Sequence, residues 1–138
     1  MSDIQLSTNI RSGDDSKFTK GGLFIQPYPF SFIQSGVDPF FYFEVYNLGC
    51  KEQQARYEVS CSVFEKNDPN LLQRLRGQVK ASHVSFSNIY ESNRPSDIVN
   101  FQLDTENMSA GTKVVQVRVR DLLSGQVTRR EFQLKIQP

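Results

Sequence analysis

Residues 40–48 have the sequence Phe-Phe-Tyr-Phe-Glu-Val-Tyr-Asn-Leu, and this stretch decides the fold. Apolar positions recur at every second residue, which is the period of a β-strand whose side chains alternate between two faces. One face carries Phe41, Phe43 and Val45, and the other carries Tyr42, Glu44 and Tyr46. We therefore predict a strand in the middle of a sheet, with one buried face and one amphipathic face.

The chain before this strand alternates in the same way, but turn-forming residues interrupt it. Residues 3–8 alternate polar and apolar side chains and predict a first strand, and residues 23–26 predict a short one. Residues 11–22 are rich in Gly, Ser, Asp and Lys, which is typical of a loop. Because Pro27 and Pro29 lack an amide donor, we expect their segment at a sheet edge or at a crossing between two sheets.

Residues 56–65 show the clearest alternation in the chain and predict a half-buried strand. We expect it to form a hairpin with residues 40–48, in a register that places Cys61 opposite Phe43 and makes the two apolar faces coincide. Cys50 then lies in the connecting loop, away from Cys61. The register therefore predicts two free thiols rather than a disulfide, with Cys61 in the core and Cys50 partly exposed.

The middle of the chain contains one ambiguous segment and two clearer strands. The leucines of residues 71–80 have helical spacing, whereas the part around Gly77 also fits a twisted edge strand, and we favour the strand. Residues 84–86 predict a strand, residues 88–97 predict a loop, and the alternation over 99–103 predicts another strand.

The last third of the chain has the pattern of a hairpin. Residues 115–119 and 132–136 both alternate, and Ser124 and Gly125 between them can supply the positive φ that a two-residue turn requires. The resulting register pairs Val117 with Phe132, Val115 with Leu134, Arg118 with Glu131, and Arg120 with Arg129.

These segments amount to about seven to nine short strands joined by turn-rich loops. The pattern predicts an all-β fold, specifically an antiparallel immunoglobulin-like β-sandwich, with a closed barrel as the alternative. At 138 residues the chain is long enough for one domain with its own core, so we expect a single domain over 1–138. Apolar burial at roughly 25 cal/mol per Å² should stabilise it without metal or disulfide.

Composition argues against several classes of partner. The formal net charge is +1, with 38% hydrophobic and 22% charged residues, so no field strong enough to attract nucleic acid is expected. No apolar run approaches the roughly 18–20 residues that cross a bilayer, so we expect no membrane insertion. The N-terminus also lacks the basic and apolar stretches of a signal peptide.

Several stretches, in order, resemble the β-sandwich region of bacterial GWxTD-domain proteins: residues 2–6, 22–29, 41–48 and 115–125, and a closing strand to Ile136. The chain has no tryptophan and so lacks the motif that names that family. The resemblance implies a module of a longer, exported bacterial protein that is periplasmic, cell-surface or secreted, and it transfers no catalytic residue.

Enzymatic constellations are absent from the sequence. His83 is the only histidine, and strand alternation turns it away from Val84 and Phe86, toward solvent. A lone exposed histidine supports neither a catalytic triad nor a metal site, and Cys50 has no base beside it in sequence. We therefore predict no catalytic residue, no metal site and no cofactor.

Two surfaces are candidates for binding. Tyr42 and Tyr46 lie on the face opposite the apolar stripe and could form an aromatic platform for sugar rings or a protein, unless they pack beneath a neighbouring strand. The final hairpin carries four arginines, which form either a solvated face or a docking patch for an acidic surface: Arg118, Arg120, Arg129 and Arg130. We expect a noncatalytic module for protein–protein contact or assembly, with carbohydrate binding through the tyrosines as the alternative.

Overall fold

The structure is a computed structural model that describes residues 1–12, 19–20, 23–27, 32–66, 68–76 and 84–138. The described residues form ten strands and one short helix, so the all-β prediction is confirmed, with one strand more than expected. The elements in chain order are β1 Gln5–Ser12, β2 Thr19–Lys20, β3 Leu23–Pro27, β4 Phe32–Gln34, β5 Phe40–Val45, β6 Ala55–Glu65, α1 Leu71–Leu75, β7 Val84–Ser92, β8 Asp97–Gln102, β9 Gly111–Asp121 and β10 Val127–Gln137.

The strands form two five-stranded sheets. Sheet A has the order β2-β3-β1-β5-β8, and sheet B has the order β4-β10-β9-β6-β7. Strand β3 lies in sheet A and β4 in sheet B, which confirms a crossing between sheets after Pro27, although residues 28–31 themselves lie outside the described part. The predicted antiparallel pattern is wrong at one place, because β4 enters sheet B parallel to β10.

Strand β5 lies inside sheet A, between β1 and β8, as its alternation predicts. Phe41 and Phe43 are fully buried, and Val45 is almost so. The Phe41 ring packs edge-to-face against Phe132 of sheet B at 5.3 Å and against Phe101 of its own sheet at 5.2 Å. Edge-to-face pairs of this kind add to the free energy gained by burial, so the strand anchors both layers.

The predicted hairpin between β5 and β6 is wrong. Strand β6 pairs with β7 and β9 in sheet B, and β5 pairs with β1 and β8 in sheet A. Cys61 therefore faces Phe86 and Val117 within its own sheet instead of Phe43. Residues 46–54 are long enough to span the roughly 10 Å between packed sheets, so the two apolar faces meet across the core instead of side by side.

The hairpin of β9 and β10 is present, but its register is shifted by two residues from the prediction. The turn spans residues 122–125, closed by the Asp121 amide donating to the Gln126 carbonyl at 2.9 Å, with Gly125 at φ 78°. A shift of two residues keeps every side chain on its predicted face. The observed pairs are Val115 with Phe132, Lys113 with Leu134, Gln116 with Glu131, Arg118 with Arg129, and Arg120 with Val127.

Two further predictions for the middle of the chain are corrected. Residues 71–75 form helix α1 instead of a strand, after a turn in which the Asn70 amide donates to Asp68 Oδ1 at 2.8 Å and the Leu71 amide donates to the Asp68 carbonyl at 3.1 Å. The part of the predicted strand from Gly77 onward lies outside the described residues. The predicted loop over 88–97 begins only after Ser92, because β7 stays paired with β6 along its whole length.

A partly buried hydrogen bond joins the two sheets. Tyr57 of β6 is fully buried, and its hydroxyl donates to Asp97 Oδ2 of β8 at 2.6 Å. The Tyr57 ring stacks on Tyr90 at 5.6 Å with an interplanar angle of 16°. Burial, and then the hydrogen bond to Asp97, raise the pKa of the Tyr57 phenol far above its usual value.

Candidate functional site

Three of the four arginines of the final hairpin lie together on the outer face of sheet B. Val115, Val117 and Val119 of β9 are buried, so the residues that alternate with them face outward. Arg118 and Arg120 are two of these residues, and Arg129 of β10 lies directly opposite Arg118. We call these three side chains, Arg118, Arg120 and Arg129, the arginine patch.

The arginine patch places two like charges directly opposite each other on neighbouring strands. Two like charges directly opposite each other on neighbouring strands destabilise a sheet, and Arg118 and Arg129 stand in that relation. Ser60, the β6 neighbour of Arg118, carries no charge. The Arg118 Nε atom is buried and has no hydrogen-bond partner among the described residues. Burying a donor without a partner costs about 1–3 kcal/mol, so the position of Arg118 is locally unfavourable.

Arg120 is the best compensated member of the patch. Its Nη2 atom lies 3.7 Å from Glu58 Oε1 of β6, and both side chains remain open to water. An exposed pair at this distance contributes about 0–1 kcal/mol, so Glu58 only partly offsets the field of three guanidinium groups. Val127, opposite Arg120 on β10, is 40% exposed and adds an apolar contact at the border of the patch.

Arg130 does not belong to the arginine patch. It pairs with Val117, on the face of β10 that turns toward sheet A. Its Nη2 atom donates to the Met1 carbonyl at 2.8 Å, and Nη1 donates to the Arg129 carbonyl at 3.1 Å. Burial, together with the charge of Arg130, lowers the pKa of the Met1 amino group. Arg130 therefore holds the N-terminal segment against the sandwich.

The two predicted site tyrosines are joined by one carboxylate instead of forming an open platform. Tyr42 is only 3% exposed, and its hydroxyl donates to Glu44 Oε1 at 3.0 Å. Tyr46 is 46% exposed, and its hydroxyl donates to Glu44 Oε2. Burial, then the bond to Glu44, raise the pKa of Tyr42 to about 12. Only Tyr46 offers a ring face to solvent.

Sequence reasoning missed the most deeply buried charge among the described residues. Lys113 has no exposed side-chain area and forms an ion pair with Glu65, and its Nζ atom lies 3.0 Å from Ser109 Oγ. The signal was available, because Lys113 shares the period-two face of Val115 and Val117. Its ammonium is satisfied by these two partners, so we assign it a structural role.

Among the residues that the structure describes, no nucleophile is grouped with metal-binding side chains. Cys50 is exposed and Cys61 buried, both as free thiols, as predicted. Burial raises the pKa of the Cys61 thiol to about 12, which makes it a poor nucleophile. His83 lies outside the described residues. Within the described ranges no three His, Cys, Asp or Glu side chains are grouped as metal ligands, and no helix has the length and apolarity needed to span a membrane.

Comparison with known proteins adds no name to this site. No family model matches the chain, and neither the curated proteins nor the solved structures contain a match to it. The interpretation of the arginine patch therefore depends on its own geometry.

Proposed function

We propose that this chain is a noncatalytic module for protein–protein contact, built on an immunoglobulin-like sandwich. Two sets of strand neighbours support that type of sandwich. Strands β1, β5 and β8 adjoin in sheet A, and β10, β9 and β6 adjoin in sheet B. This is the order of strands A, B, E and of strands G, F, C in immunoglobulin domains. Its place within a longer exported bacterial protein is a proposal that depends on the resemblance to GWxTD-domain proteins.

The observation that carries the proposed function is the pair Arg118 and Arg129. A partner that brings carboxylates to this position would relieve their repulsion and accept hydrogen bonds from the guanidinium groups. The fitting partner is an acidic, extended segment of another protein, whose apolar side chains could contact Val127. Glycan binding is supported less, because burial of Tyr42 removes one of the two rings on which it depends.

The experiment measures fluorescence anisotropy of a labelled peptide of alternating Glu and Val residues, titrated with the protein. We expect binding that weakens with added salt, because the Debye length falls from about 10 Å at 0.1 M to about 3 Å at 1 M. Arg129→Glu should weaken binding about tenfold or more, since its carboxylate would itself occupy Arg118, and each tenfold change is about 1.4 kcal/mol.

Arg94→Glu is the matched control, because Arg94 is exposed in the loop between β7 and β8, away from the arginine patch. It makes the same change in net charge and should leave the affinity unchanged. If the Arg94 and Arg129 variants lost affinity for the peptide equally, the loss would be due to net charge. That result would refute the assignment of the arginine patch as the binding surface. Equally strong binding of a peptide with Lys in place of Glu would do the same.

A further inference from the structure

Strand β7 is the longest edge strand among the described residues. Sheet A ends in β2, with two residues, and β8, with six, whereas sheet B ends in β4, with three residues, and β7, with nine. An edge strand presents unpaired amide and carbonyl groups, and proteins usually keep such edges short or interrupt them. The edge formed by β7 is not short.

Strand β7 itself, over its described residues 84–92, lacks the proline, the basic side chains and the bulge that commonly protect an edge. Its sequence, Val-Ser-Phe-Ser-Asn-Ile-Tyr-Glu-Ser, contains no proline, lysine or arginine. All nine residues pair with β6 in one continuous register, without a bulge that would twist the edge away. Ser87, Asn88 and Ile89 are exposed at its centre, and Ile89 has 52% of its surface in water.

We propose that β7 is a dimerisation edge, which pairs antiparallel with β7 of a second copy of the chain. The inference is independent of the proposed function, because it concerns the edge of sheet B instead of the outer face of β9 and β10. The pairing would join two copies of sheet B into one continuous sheet across a two-fold axis. The two strands then form an isologous contact, in which every pair of two different residues occurs twice.

Symmetry and burial determine the register of this pairing. The core-facing side of β7 must stay core-facing in the joined sheet, so only residues of equal parity can face each other. The register that pairs all nine residues has Asn88 opposite Asn88 on the axis. It places Phe86 opposite Tyr90 on the inner face and Ser87 opposite Ile89 on the outer face.

The side chains of β7 are complementary to themselves in this register. Phe86 and Tyr90 are each half-buried in their own core, against Phe101 and Tyr57 respectively, so part of each ring is left exposed at the edge. Facing aromatic pairs across strands are favourable. Glu91 is the only charged residue of the strand, so no like charges face each other. These two features favour a second copy over a partner of unrelated sequence.

The first test measures the mass of the chain by light scattering after size exclusion, under reducing conditions. We expect twice the 15.8 kDa of one chain. Ser87→Lys/Ile89→Lys places introduced ammonium groups opposite each other at two points of the contact and should give the mass of one chain. Ser87→Glu/Ile89→Glu should do the same. Mixing the two variants should restore the doubled mass, because opposite charges then face each other.

Val127→Lys is the control, because it adds a charge to the same outer face three strands away and should leave the dimer intact. Arg129→Glu should also leave it intact, which separates this test from that of the arginine patch. Both altered positions of β7 are exposed, and far-ultraviolet circular dichroism checks that the variants fold.

The second test fixes the register. In a Cys50→Ser background, Asn88→Cys should give a disulfide-linked dimer on oxidation, because facing Cα atoms about 4.5–5.5 Å apart lie within disulfide range. Gln133→Cys, at an exposed position of β10, should remain unlinked. Wild-type protein with the mass of one chain up to about 100 µM, a hundredfold above a micromolar Kd, would overturn the proposal. A dimer that persists in both double variants of β7, the one with two lysines and the one with two glutamates, would also overturn it.

Discussion

Removal of the Tyr57 hydroxyl should destabilise the fold by about 2 kcal/mol. The hydroxyl donates to Asp97 at 2.6 Å, and the ring is fully buried, so Tyr57→Phe keeps the stacking on Tyr90 and deletes the bond between the sheets. Hydrogen bonds to charged groups contribute about 1.5–3 kcal/mol. We expect a value inside this range instead of at its top, because Asp97 is only partly buried and can regain water.

The assay is urea unfolding followed by far-ultraviolet circular dichroism, with thermal unfolding as a second measurement. For a chain of this length about 2 kcal/mol corresponds to a fall in Tm of about 8 °C. A double-mutant cycle with Asp97→Ala gives the coupling free energy between Tyr57 and Asp97. The bond that Asp97 Oδ1 accepts from the Ile98 amide is lost with and without the Tyr57 hydroxyl, so its contribution cancels. Both single variants should lose stability, and their effects should add to clearly more than the effect of the double variant.

A coupling free energy below about 0.5 kcal/mol in that cycle would refute the reasoning, because it would show that the two groups contribute independently. The cycle also tests the architecture. Tyr57 lies in sheet B and Asp97 in sheet A, so a large coupling requires the two sheets to pack as described.

Two further predictions concern titratable groups. A thiol reagent should label one of the two cysteines in the native state and both in denaturant, because Cys50 is exposed while Cys61 is buried with a pKa raised to about 12; labelling of both in native protein would contradict the buried position. Burial works to raise the pKa of Asp121, but bonds donated by the Gly49 and Leu123 amides and neighbouring groups outweigh it and lower the pKa. The stability that this carboxylate contributes is therefore present above about pH 3.9 and is lost as pH falls through the pKa of the folded state. The free energy of unfolding should consequently fall less steeply with decreasing pH in Asp121→Asn than in wild type. Parallel plots of this free energy against pH would refute the prediction.

Local patterns predicted which side is buried in β5, β6, β9 and β10. The alternation of residues 40–48 identified Phe41 and Phe43 as core residues, and both are fully buried. Residues of the last hairpin also lie on their predicted faces, although the predicted register was wrong. Residues Arg118 and Arg129 lie on the outer face in the predicted and the observed hairpin, although the predicted one paired Arg120 with Arg129. A shift of two residues does not change the face, so the patch could be predicted while its pairs could not.

The length of the turn between β9 and β10 determines which residues of the two strands pair. The side chain of Asp121, which lies outside the Ser124-Gly125 pattern, stabilises the longer turn. Asp121 accepts bonds from the Leu123 amide and the Ser124 hydroxyl, and the Gly125 amide donates to the Asp121 carbonyl. These contacts stabilise a four-residue connection over the two-residue turn that Ser124 and Gly125 indicate. The Gly49 amide, from a distant part of the chain, also donates to the Asp121 carboxylate. Sequence spacing does not contain that contact.

Alternation along β10 already separates Arg130 from Arg129, because Arg130 shares its face with Phe132. Only the tertiary structure shows that Arg130 binds the Met1 carbonyl. Similarly, nothing in the pattern of residues 42–46 shows that Glu44 accepts bonds from both tyrosine hydroxyls, or that Tyr42 is buried.

The sequence by itself determined that the chain is all-β, where most strands lie, and which face of each is apolar, because a period of two is a local property of the backbone. Only the tertiary structure decided which strands are neighbours. The alternation of residues 40–45 and 55–65 is compatible both with neighbouring strands in one sheet and with strands in two packed sheets. The choice between these arrangements depends on the packing of both sheets together, in which β5 joins β1 and β8 while β6 joins β7 and β9.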